Sequence, residues 1–560
     1  MHHLICLFNR ISDAPDAIPR LRRFILDLAV RGKLVEQDPR DEPASELLKQ
    51  IQAEKERLVK AGEIRKQEPA PQVAIRNQPF ELPSNWQWVR FGAIADFSAG
   101  RTPSRHDVSL WNTGDYPWIS IADMKDGEVV TVTKETVSIK AKNQVFSSEP
   151  VPVGTMIMSF KLTIGKISRL GAPAFHNEAI ISIHPYLQAM DAYLFKVLPE
   201  FSRKGDTKDA IKGATLNRDS ISNILLPLPP LAEQHCIVAK VDELMALCDR
   251  LEAAQTERES RRDRLAASSL HRFNNGENPD AFRDHARFYF NHLPRLTTRS
   301  EHIQQLRQTI LNLAVRGKLV SQDPNDEPAE KLLIKAEQKK GKWAGPIEEQ
   351  EVPFQLPSSW IWFRLGDIAT LKHGYAFSSA YFTSEPAPFV LTTPGNFYEK
   401  GGFRDRESKR KYYSGPVDPD YILKAGDLII PMTEQAAGLL GSPAFIPDDG
   451  RIYVHNQRLG KLGFSELVDP EFAFWFFNSE FFRGELARTC TGMKVRHTSP
   501  DRVLRVPFPL PPLAEQHRIV AKVEELMALC DRLDAQLTVT HTESHRLLEA
   551  VLNGTLTSMA

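Results

Sequence analysis

The sequence predicts an α+β protein in which two strand-rich globular domains are separated by two long helices that pack against each other as a coiled coil. Two observations carry this prediction. Residues 227–251 return as residues 509–533 with 23 identities in 25 positions, and residues 28–44 return as residues 313–329 with 15 in 17. The segments between these repeated blocks differ in sequence. A tandem duplication explains the pattern and predicts a pseudo-twofold molecule.

Each copy of the longer repeat begins with PLPPLAEQ, whose prolines cannot join a helix interior. The run that follows predicts helices over Leu231–Arg272 and Leu513–Leu552, each about 60 Å long at about 1.5 Å per residue. Apolar side chains recur at steps of four and three, as in a coiled-coil seam. A single stripe of this kind is usually ordinary core, but its repetition favours pairing of the helices. The predicted seam comprises Ile237, Val241, Leu244, Leu251, Ile519, Val523, Leu526 and Leu533.

The shorter repeat, LAVRGKLV, follows an amphipathic run in both halves and predicts a helix end. Gly32 and Gly317 are the expected termination residues, because glycine readily adopts the left-handed conformation that ends many helices. A second helix is predicted over Ala44–Ala61 in one half and over Ala329–Lys340 in the other. Linkers rich in Pro, Glu and Gln follow both.

The two halves diverge between these repeats. Short apolar runs separated by turn residues predict a strand-rich core in each variable domain. These runs are Tyr116–Ile121, Thr155–Phe160, Ile180–His184, Phe389–Thr393 and Leu428–Met432. A local echo persists, because His176-Asn177-Glu178 in the first domain resembles His455-Asn456-Gln457 in the second.

The predicted segments alternate between conserved helices and variable domains. They are conserved helices with a linker (1–80), the first variable domain (81–227), the first long helix (228–273), a connector (274–300), repeated helices with a linker (301–354), the second variable domain (355–509) and the second long helix (510–560).

Composition excludes several function classes. Lys plus Arg and Asp plus Glu both number 71, so no net field indicates a polyanionic partner. The sequence has no phosphate-binding GxxxxGK[ST] loop, no HExxH zinc pair and no GxSxG elbow, which argues against intrinsic catalysis and a metal site. Five cysteines form no CxxC pair, and no apolar stretch is long enough to span a membrane. A reducing cytoplasm is the expected compartment.

Local sequence supports nucleic-acid binding in both variable domains. Basic residues beside hydroxyl, amide or aromatic side chains suit phosphate and base-edge contacts, although such runs are usually solvated surface. The candidates in the first domain are Arg101, Lys161, Thr163, Lys166, Lys212, Thr215, Asn217 and Arg218. Those in the second are Arg404, Arg406, Lys409, Arg410, Lys411, Tyr412, Lys494, Arg496 and His497.

The doubled PPLAEQ-helix block, with LAVRGKLV before each variable domain, resembles the specificity subunits of type I restriction–modification enzymes. The resemblance extends from about Pro19 to Val551. It implies that each variable domain is a target-recognition domain reading half of a bipartite double-stranded DNA sequence. It also implies that the conserved helices form an antiparallel coiled coil between the two domains and that two modification subunits dock on the conserved parts.

The same resemblance assigns the chemistry to partners. Modification subunits would bring S-adenosylmethionine, and restriction subunits would bring ATP- and Mg-dependent translocation and cleavage, leaving this chain non-catalytic and without a cofactor. A different class of function is a pseudo-symmetric scaffold that assembles partner subunits without reading DNA. Neutral net charge favours the scaffold, whereas the divergence of the two domains argues against it.

Overall fold

The computed structural model describes residues 14, 16–65, 73–146, 148–203, 208–210, 213–275, 279–327, 331, 334, 347, 351–490 and 496–558. The chain divides into two compact units. One comprises Met1–Thr256 with His541–Ala560, and the other comprises Glu257–Thr540. Each long helix therefore contributes residues to both units.

The first unit contains the first variable domain and the helices around it. Its helices are α1 (Ala17–Val30), α2 (Ala44–Lys60), α3 (Phe91–Ile94), α4 (Ile139–Gln144), α5 (Asp191–Ser202) and α6 (Arg218–Ser222). Its strands are β1 (Gln87–Arg90), β2 (Ala95–Ala99), β3 (Trp111–Ile119), β4 (Val129–Val130), β5 (Glu135–Val137), β6 (Met156–Ser159), β7 (Ile167–Leu170), β8 (Phe175–His176), β9 (Ile180–Pro185), β10 (Lys208–Ala210), β11 (Gly213–Thr215) and β12 (Leu225–Leu228).

The long helix α7 (Leu231–Asn275) leads into the second unit. The helices there are α8 (Pro279–Leu296), α9 (Ser300–Val315), α10 (Leu365–Ile368), α11 (Pro470–Asn478), α12 (Glu480–Thr489) and α13 (Pro500–Leu504), before the final helix α14 (Leu513–Ser558). The strands are β13 (Ile361–Arg364), β14 (Ala369–His373), β15 (Phe382–Thr383), β16 (Phe389–Thr392), β17 (Tyr412–Tyr413), β18 (Ile422–Leu423), β19 (Leu428–Pro431), β20 (Ala444–Phe445), β21 (Ile452–His455), β22 (Leu459–Phe464) and β23 (Pro507–Leu510).

The predicted helix ends at Gly32 and Gly317 are confirmed. Both glycines have φ of +67°, the left-handed conformation that closes a helix at little cost only without a side chain. There is also no room for one. A Cβ at Gly32 would lie 2.5 Å from Cγ of Pro83, and one at Gly317 would lie 2.4 Å from Cγ of Pro357.

Three repeated sequence blocks meet at one point in each unit. In the first unit, Gln37 and Trp86 donate hydrogen bonds to the two carboxylate oxygens of Glu233, at 2.5 and 2.7 Å. In the second unit, Gln322 donates to Glu515 at 2.7 Å and accepts a hydrogen bond from the Ser359 hydroxyl at 2.7 Å. Burial raises the pKa of both glutamates, although these donors oppose it. This junction gives the glutamate of PPLAEQ a structural role in each half.

Both variable domains begin and end at an antiparallel strand pair, β1 with β12 and β13 with β23. Within this closure, the sheet order β2-β9-β6-β7-β4 in the first domain corresponds to β14-β22-β19-β20 in the second. The group β5-β3-β8 corresponds in the same way to β17-β16-β21, including one parallel pair in each. The divergent sequences therefore share these strand pairs, although β4, β15 and β18 have no counterpart among the described strands of the other domain.

The predicted strand runs are present as β3, β6, β9, β16 and β19. The two long helices also occur where the sequence predicted them, each a few residues longer at its end. The predicted connector contains a helix, α8. Most of the predicted helix Ala329–Lys340 lies outside the described residues.

The predicted seam residues lie in the cores of their own units. Ile237 and Val241 are buried in the core of the first unit, with Leu244 and Leu251 packed against it. Ile519 and Val523 are buried in the core of the second, with Leu526 and Leu533 packed against it. Antiparallel pairing of the two helices stays a prediction.

The short helix that opens each half packs against the end of a long helix. In the first unit, Leu548 and Leu552 of α14 form an apolar cluster with Phe24 and Leu28 of α1. In the second unit, the end of α7 contributes Leu270 and Phe273 to the core that contains α9. The end of each long helix thus supports a short helix of the repeat.

Candidate nucleic-acid interface

Three connections of the first variable domain meet at one sheet edge. The segment after β2 donates a backbone hydrogen bond from Arg101 to the carbonyl of His176, at 2.9 Å. The connection after β6 donates from Phe160 to the carbonyl of Ala179, at 3.0 Å. A Cβ at Gly100 would lie 1.9 Å from the oxygen of His176, so only glycine permits this approach. The backbone therefore joins the β2–β3, β6–β7 and β8–β9 connections.

Charged side chains cluster where these connections meet. Burial opposes ionisation of Glu178, but the Thr102 hydroxyl, which donates to it, and the cations Lys161 and Arg105 lower the pKa of its carboxyl below the ordinary value. The Arg105 guanidinium also lies 3.8 Å from the ring centroid of Trp111. This edge combines cations, a hydroxyl and a carboxylate within one exposed surface.

The structure brings some predicted residues of this domain to that edge and gives others a local structural contact. Arg101 and Thr163 are exposed there, and Lys161 is half-buried beside them. Lys166 is half-buried, and its Nζ donates to the carbonyl of Ile121 at 3.1 Å.

The remaining candidates of this domain lie elsewhere along the chain. Asn217 accepts a hydrogen bond from the backbone of Ser220 at 2.7 Å and so caps α6. The Arg218 guanidinium lies 5.2 Å from the ring centroid of Phe97. Thr215 belongs to β11, and Lys212 lies outside the described residues.

The second variable domain builds the equivalent edge. The backbone of Tyr375, just after β14, donates to the carbonyl of His455 at 2.8 Å. A Cβ at Gly374 would lie 2.1 Å from the oxygen of Asn456. Strand β17 begins at this same edge, because Leu391 of β16 donates to the carbonyl of Lys411 at 2.9 Å. The repeated histidine–asparagine turn therefore occupies equivalent places in the two domains.

The predicted basic run of the second domain divides into paired and exposed cations. Arg410 donates to both carboxylate oxygens of Asp405, at 2.7 and 2.6 Å, and to the Tyr412 hydroxyl at 3.2 Å. The Arg410 hydrogen bonds hold the pKa of Asp405 well below its usual range, although partial burial opposes this. Arg404 lies 3.6 Å from a carboxylate oxygen of Glu399.

The other residues of the run show different exposure. Lys409 and Lys411 are exposed, whereas Arg406 is half-buried against Gly395. Lysines that project from the edge are therefore the cations of this run most accessible to a phosphate group.

A longer connection, residues 432–443, joins β19 to β20 at the second edge. Its start pairs with a basic segment, because the backbone of Glu434 donates to the carbonyl of Arg496 at 2.9 Å and Thr433 forms a bridge with His497. The side chains of Arg496 and Glu434 form an ion pair. Arg496 and His497 are both exposed, and Lys494 lies outside the described residues.

The same connection is held from behind by Arg483 of α12. Five hydrogen bonds leave its guanidinium, to Phe477 O (2.7 Å), Gly438 O (2.7 Å), Leu440 O (3.0 Å), Glu399 O (3.3 Å) and Asn478 Oδ1 (3.1 Å). Burial lowers the pKa of Arg483 to about 10, so the group stays charged at neutral pH. Its partners are carbonyl and amide oxygens, which fix the backbone of the connection.

Sequence reasoning did not identify Arg105, Arg458 or Arg483. Arg458 is exposed and follows the histidine–asparagine turn, so the echo between residues 176–178 and 455–457 could have indicated it. Nothing in the local sequence around Arg483 indicated its role, because its partners come from three separate segments.

The described part of the chain contains no group of three His, Cys, Asp or Glu side chains that could hold a metal ion. Among the helices in that part, none is both long and apolar enough to cross a membrane.

Two related domains in repeated helical frames, each presenting cations and polar side chains at one sheet edge, define a two-domain DNA-specificity protein. The chain belongs to the family described as Type I restriction modification DNA specificity domain, which matches residues 83–259 and 357–539. It is accordingly a DNA-recognition subunit and not an enzyme.

Two curated relatives match over nearly the whole chain. The EcoAI specificity subunit of a type I restriction enzyme from Escherichia coli is 31% identical over 96% of this chain and 94% of the relative. The EcoEI specificity subunit from the same organism is 29% identical over the same shares. A solved structure on complex assembly and conformational transition of the type I R-M system has a TM-score of 0.50 at 18% identity, covering 85% of this chain and 98% of that one. At this sequence identity, the similarity to the solved structure shows the fold alone.

Proposed function

We propose that each variable domain reads one half of a bipartite double-stranded DNA target and that two modification subunits dock on the repeated helices. The two halves keep like sequence where a common partner would bind and unlike sequence where different bases would be read. Restriction subunits would join the assembly through the modification subunits. Catalysis, with S-adenosylmethionine, ATP and Mg, would belong to these partners.

The observation that carries this proposal is the shared topology of two divergent domains. Equivalent strands form the same pairs in both, and the same glycine–histidine contact lies at the edge of each. The connections at that edge differ in length and charge. A scaffold that binds identical partners has no need for such a difference, whereas a reader of two unlike half-sites requires it.

The long helices would set the distance between the half-sites. Helix α7 has 45 residues, which corresponds to about 68 Å at about 1.5 Å per residue. Two turns of DNA span a similar length, because one turn rises about 34 Å. Antiparallel pairing of the two long helices would hold the two domains about two turns of DNA apart.

Exchange of one variable domain tests the proposal. Residues 96–226 are replaced by the equivalent domain of another family member, and methylated adenines are mapped for the complex with modification subunits. One half of the methylated motif should change and the other should persist. The reciprocal exchange of residues 370–508 is the matched control and should alter the opposite half. A motif that changes in both halves or in neither rejects the two-reader proposal, and assembly without any sequence preference supports the scaffold.

A further inference from the structure

The connection between the third and fourth strands of the shared sheet differs clearly between the two domains. In the first domain it spans residues 160–166, between β6 and β7, and in the second it spans 432–443, between β19 and β20. Strands that correspond one to one place the two connections at the same position. An element that reads unlike sequences must differ between the halves, and this connection has seven residues in the first domain and twelve in the second.

We propose that residues 432–443 are the base-reading element of the second domain, with Gln435 as the reading residue and Arg483 as its positioning residue. This inference rests on the proposed function and identifies where one half-site is read. The base expected opposite Gln435 is adenine, since a glutamine amide forms a bidentate hydrogen-bonded pair with N6 and N7 of adenine in the major groove.

The frame of this connection is fixed on both sides. Behind it, Arg483 binds the carbonyls of Gly438 and Leu440. Where the connection turns back, the backbone of Gly441 donates to the carbonyl of Pro431 at 2.9 Å, and its φ of +69° favours glycine. The Ser442 hydroxyl donates to the carbonyl of Tyr398 at 2.6 Å. A loop held this way keeps its shape before DNA arrives, which reduces the entropy lost on binding.

The tip of the connection is exposed. Residues 435–438 face solvent, and the Gln435 amide makes no side-chain hydrogen bond within the described residues. Ala436 and Ala437, which follow it, have the small side chains that allow a backbone to approach a groove. The exposed side chains of Arg496 and His497 border the tip and carry N–H donors that suit phosphate contacts.

The planar geometry of the guanidinium group explains why an arginine holds residues 432–443 in place. A guanidinium has five N–H donors in one plane. All five hydrogen bonds from Arg483 go to oxygen atoms. A lysine has three donors on a flexible stem and cannot reproduce this planar set. Arg483→Lys should therefore loosen the loop while it keeps the charge.

The test uses the full chain in complex with modification subunits and measures methylation rates on targets with single base-pair changes in either half-site. Gln435→Ala should reduce discrimination at one base pair of the second half-site by roughly 5- to 150-fold. Gln435→Glu should shift the preference there towards cytosine, whose N4 amino group donates to a carboxylate. Discrimination in the first half-site should remain unchanged in both variants and provides the internal control.

Arg483→Lys should reduce discrimination across the second half-site while binding to unrelated DNA stays unchanged. Arg488→Lys is the matched control on the same helix, because the Arg488 side chain is 76% exposed and forms a local i,i+3 ion pair with Glu485. Should Arg483→Lys fail to fold, the Gln435 variants decide the matter. Unchanged discrimination at every position of the second half-site in both Gln435 variants overturns the inference. A parent complex that shows no sequence preference in either half would instead reject the proposed function.

Discussion

The two variable domains have the same strand pairing but different sheet edges. In both domains the backbone carbonyl of a buried histidine lies close to a glycine, His176 close to Gly100 and His455 close to Gly374. The first edge has a short connection with Lys161, whereas the second has a longer connection held by the half-buried Arg483. The difference indicates that recognition varies in the connections while the strands preserve the positions from which they project.

A change in the distance between the two variable domains should have the largest effect on the DNA target that they recognise. Four residues inserted near Glu257, on an exposed stretch of α7, should lengthen the unread spacer and rotate one domain relative to the groove. The complex should lose methylation of its parental target and gain a target with the same half-sites further apart. Methylated adenines mapped for the insertion variant and the parent provide the measurement. A folded, active variant with the parental spacer would show that the helices do not set the distance.

The shared frame predicts equal damage from equivalent substitutions. Gly100→Ala and Gly374→Ala would each drive a Cβ into a carbonyl oxygen, 1.9 and 2.1 Å away, and should lower the free energy of unfolding by roughly 2–4 kcal/mol. Gly484→Ala is the control, since its Cβ meets nothing within 4 Å and helix propensity should stabilise the protein by about 0.5–1 kcal/mol. Chemical denaturation measures all three. Damage confined to one domain would contradict the correspondence.

The buried histidines predict a common dependence on pH. Burial is the main cause that lowers the pKa of His176 and of His455 to about 4, whereas an unfolded histidine titrates near 6.5. Between these values the unfolded state binds more protons, so stability is full above pH 6.5 and is lost as pH falls towards 4. Each histidine should contribute a loss of up to roughly 3 kcal/mol.

Urea unfolding at pH 7 and pH 4.5 measures this dependence. His176→Asn and His455→Asn should each lose less stability on acidification than the parent. The exposed His106 supplies a control, and His106→Asn should follow the parent. An equal loss in the parent and in both buried variants would show that these histidines are not responsible.

The smallest expected effect separates exposed from paired cations at the second edge. Lys411→Ala should lower the slope of log K against log salt by about one unit, as for one lost phosphate contact. Arg410 was predicted with it, but its guanidinium already binds Asp405, so Arg410→Ala should reduce stability as well as binding. Filter binding at several salt concentrations gives the slope. An unchanged slope for Lys411→Ala would identify the run as solvated surface.

Sequence predicted the features that depend on local pattern. The heptad stripes located α7 and α14, and the glycines after the LAVR blocks marked true helix ends. The duplication predicted a pseudo-twofold molecule with two strand-rich domains, but not the strand order within them, because strand pairing depends on contacts distant in the chain. The role of Arg483 was not predicted for the same reason. The basic run was predicted as a whole, and its sequence did not show that Asp405 would pair with Arg410.

The packing of α14 on α1 has a consequence for biosynthesis. Phe24 of α1 emerges from the ribosome 524 residues before Leu548, which later covers it (548 − 24 = 524). At about 5–20 residues per second, that interval lasts roughly half a minute to two minutes. During this time the apolar face of α1 is available to chaperones, and a prematurely terminated chain would never cover it. The first unit can therefore complete its packing only after α14 has been translated.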